Sequence, residues 1–521
     1  MARNWTLIVV FSGYIPLILT AAFTICMAWF YTRRYACTIR SNWASHVAII
    51  SGLTFSLLTM LLIPLDVFFA SYAKLPNGTW ADWAKNGSLL QDVEDTLEDT
   101  YFVFYSIVLV HLFVILPFVY FYSEDSANLL LEASVGSRIG RAILFTLVFP
   151  LAFGVMLTVG AVIPMREPND NSTEWEWLIR EFKENKKKDM FGFAFSFVSV
   201  IGMCMLVMYL GLGMMAFPLS LIRGLASAAR ERAAIQEHLE NLKARISLLR
   251  ARAQMGNAGQ EDYQVLTVLQ QQEADSMRHE RNLQEFQSTW YYRLRTPIRT
   301  VQIILGLGGL LLSFLVLISL LLSNVDKVLN SSVDSGYIPK KQNLPNPIDY
   351  VLLQCQQIYP LDYILFVTMV CYLFVCCTYA LQRFGVCALC FRAYSIRRGR
   401  TVPQALVMLS SVLILCVFGL QILIYSVSPE YTSFGNQHYI YGGTVIRPCD
   451  YDAPVGDCVQ TRATALLRRF DYKMTAFGFG YYWLSWLFIM VSVVSYFAFQ
   501  FRVRITAARQ RMEEEAEDLL E

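Results

Sequence analysis

The sequence predicts an all-α fold: a polytopic transmembrane helical bundle of about nine spans, N-terminus luminal and C-terminus cytosolic, with a cytosolic helical hairpin. Three observations predict it. The chain is 55% hydrophobic and only 16% charged, against about 25% charged in a soluble domain. Nine apolar stretches each reach the roughly 20 residues that a bilayer-crossing helix needs. The excess of basic residues and the glycosylation sequons fall on opposite sides of those stretches.

The expected spans lie near 7–31, 46–72, 101–122, 142–164, 191–217, 301–323, 361–382, 404–426 and 475–500. Backbone groups in lipid must be satisfied within the segment, so the spans are helices. A barrel would alternate apolar and polar residues with period two. The first apolar run is about 25 residues long, longer than the roughly 7–15 of a signal h-region. It is therefore read as a span, with Arg33, Arg34 and Arg40 following it on the cytosolic side.

The segments 32–45, 123–141, 218–300, 383–403 and 501–521 hold 26 of the 43 Lys and Arg and 18 of the 41 Asp and Glu, a net +8. The segments on the opposite side hold 17 and 21, a net −4. The positive-inside rule makes the first set cytosolic. The sequons at Asn77, Asn86, Asn171 and Asn330 then face the lumen, where glycosylation occurs. Asn4 carries a sequon too close to the first span to be modified, and Lys186-Lys187-Lys188 runs against the charge rule in one luminal segment.

Four parts follow in order: 1–217 with spans 1–5 and glycosylated luminal loops, 218–300 as the cytosolic hairpin, 301–500 with spans 6–9, and 501–521 as a cytosolic tail. In the hairpin, Ile235, Leu239, Leu242, Ile246, Leu249 and Ala253 form an a/d seam. Gly256-Asn257-Ala258-Gly259 breaks it, and a second helix returns over about 261–295. The seam serves self-pairing of the two helices or docking of a partner. Trp80, Trp83, Trp175 and Trp177 lie just outside span ends. They are read as interfacial anchors or loop packing, with a ligand-stacking platform as the sharper alternative.

No basic residue lies inside a span, and only two acids do, Asp66 and Asp362. Each follows Pro-Leu, in Ile63-Pro64-Leu65-Asp66 and Tyr359-Pro360-Leu361-Asp362. An ionisable side chain at membrane depth costs about 2.5–3.5 kcal/mol on insertion scales and is a candidate functional group. The pair is either proton-responsive or two helix-end carboxylates held by neighbouring donors. The repeated four residues also raise the idea of a duplicated half. His111 is a lone histidine among aromatics in span 3.

Most of the 12 cysteines behave as small apolar residues in spans. Cys449 and Cys458, in a luminal loop, are expected to form a disulfide because that compartment is oxidising during synthesis. Cys387-Ala-Leu-Cys390 is a lone C-x-x-C in a cytosolic turn, so no metal site is expected. Arg397, Arg398 and Arg400 form a basic cluster suited to anionic lipid head groups. In the tail, Glu515 stands four positions before Leu519-Leu520, an acidic dileucine pattern of the kind read by clathrin adaptors. The chain contains no G-x-x-x-x-G-K-[ST], G-x-S-x-G or H-E-x-x-H, so neither an ATP-driven pump nor an enzyme is expected.

Further stretches carry a family likeness: Asn77-Gly78-Thr79-Trp80 with Asp82-Trp83-Ala84, Asn171-Ser172-Thr173-Glu174-Trp175-Glu176, Ser323-Asn324-Val325-Asp326-Lys327, Asp334-Ser335-Gly336-Tyr337-Ile338, Pro360-Leu361-Asp362-Tyr363-Ile364-Leu365, Arg397-Arg398-Gly399-Arg400-Thr401 with Pro403-Gln404-Ala405-Leu406, and Cys449-Asp450-Tyr451-Asp452-Ala453-Pro454 to Cys458. In order along the chain, they resemble the limb-region (LMBR) family of nine-span membrane proteins. The short tail ending in a dileucine departs from that pattern. The resemblance implies a lysosomal membrane protein needed to export cobalamin (vitamin B12) to the cytosol, acting as escort and partner of a lysosomal ABC transporter. Cobalamin is then cargo, and no cofactor of the chain's own is expected. Alternatives are a proton-coupled carrier using Asp66 and Asp362, or an endocytic receptor or adaptor at the plasma membrane. Membrane lipids and a clathrin adaptor are expected partners, a homo-oligomer stays open, and no nucleic acid is expected.

Overall fold

The computed structural model describes residues 21–36, 43–85, 87–127, 135–162, 186–223, 295–331, 343–355, 361–388, 391–394, 401–442, 445–473 save 452 and 455, and 475–518, with scattered single positions elsewhere. Asn86, Asn171, Trp175, Trp177, Arg397, Arg398, Arg400, Leu519, Leu520 and nearly all of the expected hairpin lie outside the described residues.

In chain order the helices are α1 (21–35), α2 (Trp43–Ser71), α3 (Gly87–Val110), a π-turn (His111–Ile115), α4 (Leu116–Ala127), α5 (Val135–Thr146), α6 (Val148–Val162), α7 (Lys186–Arg223), α8 (Arg295–Asn330), α9 (Pro347–Cys355) and α10 (Leu361–Phe384). After the hairpin β1 (Val386–Ala388) and β2 (Phe391–Tyr394) come α11 (Pro403–Val427) and α12 (Pro429–Phe434). A second hairpin, β3 (His438–Tyr441) and β4 (Val445–Pro448), precedes α13 (Arg462–Lys473) and α14 (Thr475–Asp518). Among the described residues, eight helical stretches are long and apolar enough to cross a membrane, and they coincide with expected spans 2–9. Of span 1, residues 21–31 are helical and most of the earlier ones lie outside the described residues.

The chain divides into two compact units, Met1–Ala216 with Leu312–Glu521, and Phe217–Leu311. In the second unit, Arg299 donates from Nη1 to the Leu221 carbonyl at 2.9 Å and from Nη2 to that of Ile222. A cation thus meets the last carbonyls of α7, the end that carries partial negative charge.

In the first unit α11 is the central helix. Its most apolar stretch is 83% buried, whereas that of Gly136–Gly160 is 11% buried and presents its side chains outward. Helix α11 packs against α2, α4 and α10. It crosses α7 at a glycine pair: a Cβ on Gly419 would lie 2.6 Å from the Gly202 carbonyl oxygen, and a Cβ on Gly202 would run into the Leu415 carbonyl. Small residues are what allow such backbone approach between helices in lipid.

The structure revises several sequence expectations. Segment 73–100 is helical from Gly87 onward, so span 3 starts well outside the apolar run. Its acids mask an amphipathic stripe whose Leu97 and Tyr101 are buried. The C-x-x-C segment is bordered by an antiparallel strand pair, with Cys387 opposite Arg392, rather than being a bare turn. The repeated Pro-Leu-Asp occupies unlike positions: Pro64 is inside α2, whereas Pro360 precedes α10. The shared letters therefore do not mark equivalent halves. The π-turn was not expected. Pro117 follows it closely, lacks an N–H and clashes with a standard helical turn. The chain adjusts one turn earlier, where the Leu116 N–H bonds the His111 carbonyl five residues back.

Candidate functional site

The polar groups gather where the luminal ends of α2, α3, α8, α9, α10 and α11 meet the segment 428–473. Four aspartates and one asparagine organise this cap, accepting bonds from irregular backbone or, for Asp362, from neighbouring side chains.

Asp66, near the end of α2, is 2% exposed. Its Oδ2 accepts the Ala463 N–H at 2.7 Å and the Tyr101 hydroxyl at 3.4 Å. Ala463 lies in the first turn of α13, so Asp66 caps that helix from a distant part of the chain. Carboxylates are favoured there by the unpaired N–H groups and the helix dipole. The neighbouring Arg462 pairs with Glu94 and lies 3.8 Å from Glu98, both on α3.

Asp362, in the first turn of α10, is 6% exposed. Its Oδ2 accepts the Tyr431 hydroxyl and the Asn436 Nδ2–H, each at 3.1 Å. The Asn436 N–H donates to Ser71 Oγ at the end of α2, at 3.2 Å. Between them Gly435 has φ +59°, and a Cβ there would strike Ser71 Oγ, so the turn needs glycine. Asp66 and Asp362 thus hold different parts of the cap, α13 and the α12–β3 turn, each through its own donors.

Asp349, on α9, is the acid that sequence reading counted as an ordinary loop residue. It is 2% exposed and accepts the Ser428 hydroxyl, the Glu430 N–H at 3.3 Å and the Tyr431 N–H at 3.2 Å. It caps α12 as Asp66 caps α13. The available signal was Asn346-Pro347-Ile348-Asp349, a helix start with Pro early and acid in the first turn. Asn346 completes that start by accepting the Ile348 N–H at 3.0 Å while donating to the Val427 carbonyl at 2.8 Å. Asp326 accepts the Asn343 and Leu344 N–H groups, both at 3.1 Å.

Burial pushes the Asp349 carboxyl up to about 6, against the lowering effect of its three donors. A carboxyl raised on folding stabilises the cap below its unfolded value near 3.8, and that contribution disappears as pH rises through about 6. The cap is therefore expected to be about 2 kcal/mol more stable at pH 4.5 than at 7.5 from this group alone. Asp349→Asn should flatten that dependence. Unfolding midpoints measured in detergent at both pH values read the difference, and an unchanged slope in the variant contradicts the assignment.

Cys449 and Cys458 are joined by a disulfide. The Cys449 N–H bonds the Gln437 carbonyl at 2.8 Å, and Gln437 Oε1 accepts the Val459 N–H at 2.9 Å. Trp83 donates Nε1–H to the Tyr72 carbonyl at 3.1 Å, and Lys74 lies 4.7 Å from the Trp80 ring centroid. These contacts are loop packing. Asn77 is exposed and its Oδ1 accepts from Thr79 Oγ1 at 2.7 Å, whereas Asn330 donates Nδ2–H to Asp326 at 2.8 Å. Glu515 falls on α14.

A crevice of about 10 Å³ lies between Asp66, Trp83, Glu94, Gln460 and Arg462. That is room for about one water, far from the roughly 300–1,000 Å³ of sites that engulf a sizeable ligand. Among the described residues no His, Cys, Asp and Glu cluster could hold a metal ion.

The description "LMBR1-like membrane protein" matches residues 13–272. The lysosomal cobalamin transport escort protein LMBD1 of Gallus gallus is 34% identical over 486 residues, 90% of this chain and 89% of its own length. The chain belongs to the LMBR1-like family. The Homo sapiens escort protein LMBD1 is likewise 34% identical, over 92% of this chain and 90% of its own. A Nematostella vectensis relative named "Probable lysosomal cobalamin transporter" is 30% identical over 92% of each chain. No solved structure matches.

Proposed function

We propose that this chain is a multi-pass lysosomal membrane protein required for export of cobalamin to the cytosol, acting as escort and partner of a lysosomal ABC transporter. The observation that carries this reading is 34% identity to escort proteins over nine-tenths of the chain. The geometry of the cap supports an escort over a conduit. Among the described residues, Asp66 and Asp362 are engaged in holding α13 and the α12–β3 turn. Reconstitution with and without the ABC partner, reading cobalamin flux and co-purification together, tests it. Flux is expected only when the transporter is present, with the two proteins co-purifying. Cobalamin movement by this chain alone under an acid-inside gradient overturns the escort reading.

That second outcome is the proton-coupled carrier, and the name of the Nematostella vectensis relative favours keeping it in the test. Delivery to lysosomes is assigned to the tail signal of Glu515, Leu519 and Leu520, read by a clathrin adaptor. Leu519→Ala with Leu520→Ala is expected to shift most of the protein to the cell surface, measured by surface biotinylation. Normal lysosomal delivery of the double variant removes the adaptor from the model.

A further inference from the structure

The luminal segment 428–473 carries a second feature besides its aspartate contacts, the hairpin of β3 and β4. Its register pairs His438 with Pro448, Tyr439 with Arg447, Ile440 with Ile446 and Tyr441 with Val445. Successive side chains of a strand point to opposite faces. One face therefore carries Tyr439, Tyr441, Val445 and Arg447, and the other His438, Ile440, Ile446 and Pro448. The first face is held by its own side chains. Tyr439 is buried with Phe434 and Cys449, and the Arg447 guanidinium lies 4.3 Å from the Tyr441 ring centroid. The second face is left open: Ile440 is 39% exposed, Ile446 is 51% exposed, and Pro448 is exposed as well.

That open face meets the turn 75–79. The turn is closed by the Gly78 N–H to the Leu75 carbonyl at 2.9 Å and the Leu75 N–H to the Thr79 carbonyl at 2.8 Å. Gly78 is buried against the hairpin: a Cβ there would lie 2.9 Å from Ile440 Cγ1 and 3.2 Å from the Tyr439 carbonyl carbon. Asn77 and Thr79, on either side of it, are exposed. Asn77 Oδ1 accepts the Thr79 N–H at 3.1 Å and the Thr79 hydroxyl at 2.7 Å. Asn77 Nδ2 makes no hydrogen bond among the described residues. Consecutive Cα atoms are about 3.8 Å apart, so a group attached to Nδ2 starts one residue away from the contact with Ile440.

The chemistry of the face selects what covers it. Two isoleucines and a proline present far less than the roughly 800 Å² per partner that a stable protein interface buries. The same hairpin carries Arg447 on its other face, so sinking it into hydrocarbon would take a charge with it. A pyranose ring meets both conditions. Its C–H face lies on aliphatic side chains while its hydroxyl and acetamido groups stay in water. The sequon Asn77-Gly78-Thr79 supplies such a ring at the edge of the face.

We infer that the Ile440–Ile446 face of the luminal hairpin is the seat of the first N-acetylglucosamine of an N-linked glycan on Asn77. Attachment joins Asn77 Nδ2 to the anomeric carbon of an oligosaccharide carried on a lipid diphosphate. The bond from that carbon to the diphosphate oxygen breaks, and Nδ2 gives up one proton. The sugar then shields an exposed apolar patch from non-specific association. The inference rests on the luminal placement of Asn77 and is independent of the cobalamin reading.

Thiol labelling of the full chain tests this, with protein made in cells that glycosylate secretory proteins and held in lipid nanodiscs. Ile446→Cys puts a thiol on the open face, and Val445→Cys puts one on the opposite face. A maleimide is added, and the label at each position is read by peptide mass. Only the uncovered population reacts, so Ile446→Cys is expected to label about fivefold more slowly with the glycan than in the Asn77→Gln background. Val445→Cys is expected to label equally fast in both. Trimming the glycan to its first N-acetylglucosamine with an endoglycosidase should preserve the difference. Equal rates at position 446 with and without the glycan overturn the inference, as does an Asn77 that carries no sugar. Equal slowing at both positions, or protection lost on trimming, shows screening by the outer branches and overturns it too. If Asn77→Gln does not fold, Thr79→Ala or enzymatic removal of the glycan from the folded protein supplies the sugar-free state.

Discussion

Asp66→Ala is expected to destabilise the protein by about 3–5 kcal/mol, since it removes a helix cap and leaves buried donors without partners. The Ala463 N–H loses its 2.7 Å acceptor and the buried Tyr101 hydroxyl loses its own at 3.4 Å. Arg462, one residue away, keeps Glu94 and Glu98 but loses a nearby negative charge. Asp66→Asn keeps an acceptor oxygen for the Ala463 N–H and should cost about a third as much. The readouts are the unfolding midpoint in detergent and the rate of proteolysis within 428–473. Equal loss in both variants would mean that the charge, rather than the accepted bonds, holds the cap. An unaffected Asp66→Ala variant would remove the cap role altogether.

Gly202→Val carries the other large expected effect, a loss of about 3 kcal/mol or more. A Cβ at Gly202 meets the backbone of Leu415 and Gly419, not the movable end of a side chain. No rotamer change relieves that contact, so α7 and α11 must separate, and α11 is the most buried span helix among those described. Gly154→Ala is the matched control. Nothing lies within 4 Å of its Cβ position, and alanine is the better helix former by about 0.8–1.0 kcal/mol. Midpoints measured side by side should fall steeply for Gly202→Val and hold or rise for Gly154→Ala. A tolerant Gly202 would show that the two helices do not cross at this pair.

These two residues also mark how far the sequence could be read. Asp66 was conspicuous because it is one of two acids left among apolar residues. Composition singles out such a residue without structure, since its cost depends on local polarity and depth. Its partner Ala463, 397 positions away in the chain, was invisible. A backbone N–H has no sequence signature, and the helix it begins is short and polar. Asp349 was missed for the converse reason. Its carboxyl sits among ordinary loop residues in the sequence, and only folding buries it against α12. Gly202 and Gly419 read as two of 28 glycines, and nothing local says which of them face each other.

The same division applies to the whole molecule. The positions of spans 2–9 and the Cys449–Cys458 pairing were legible because each depends on short segments: apolar length and compartment. Membership of the LMBR1-like family was legible in motifs for a similar reason, as they are local strings. The cap that Asp66, Asp349 and Asp362 hold together and the crossing of α7 on α11 were decided only by tertiary structure. Each depends on the rotation and depth of one helix relative to another, and those are set by packing over distant segments rather than by any one of them.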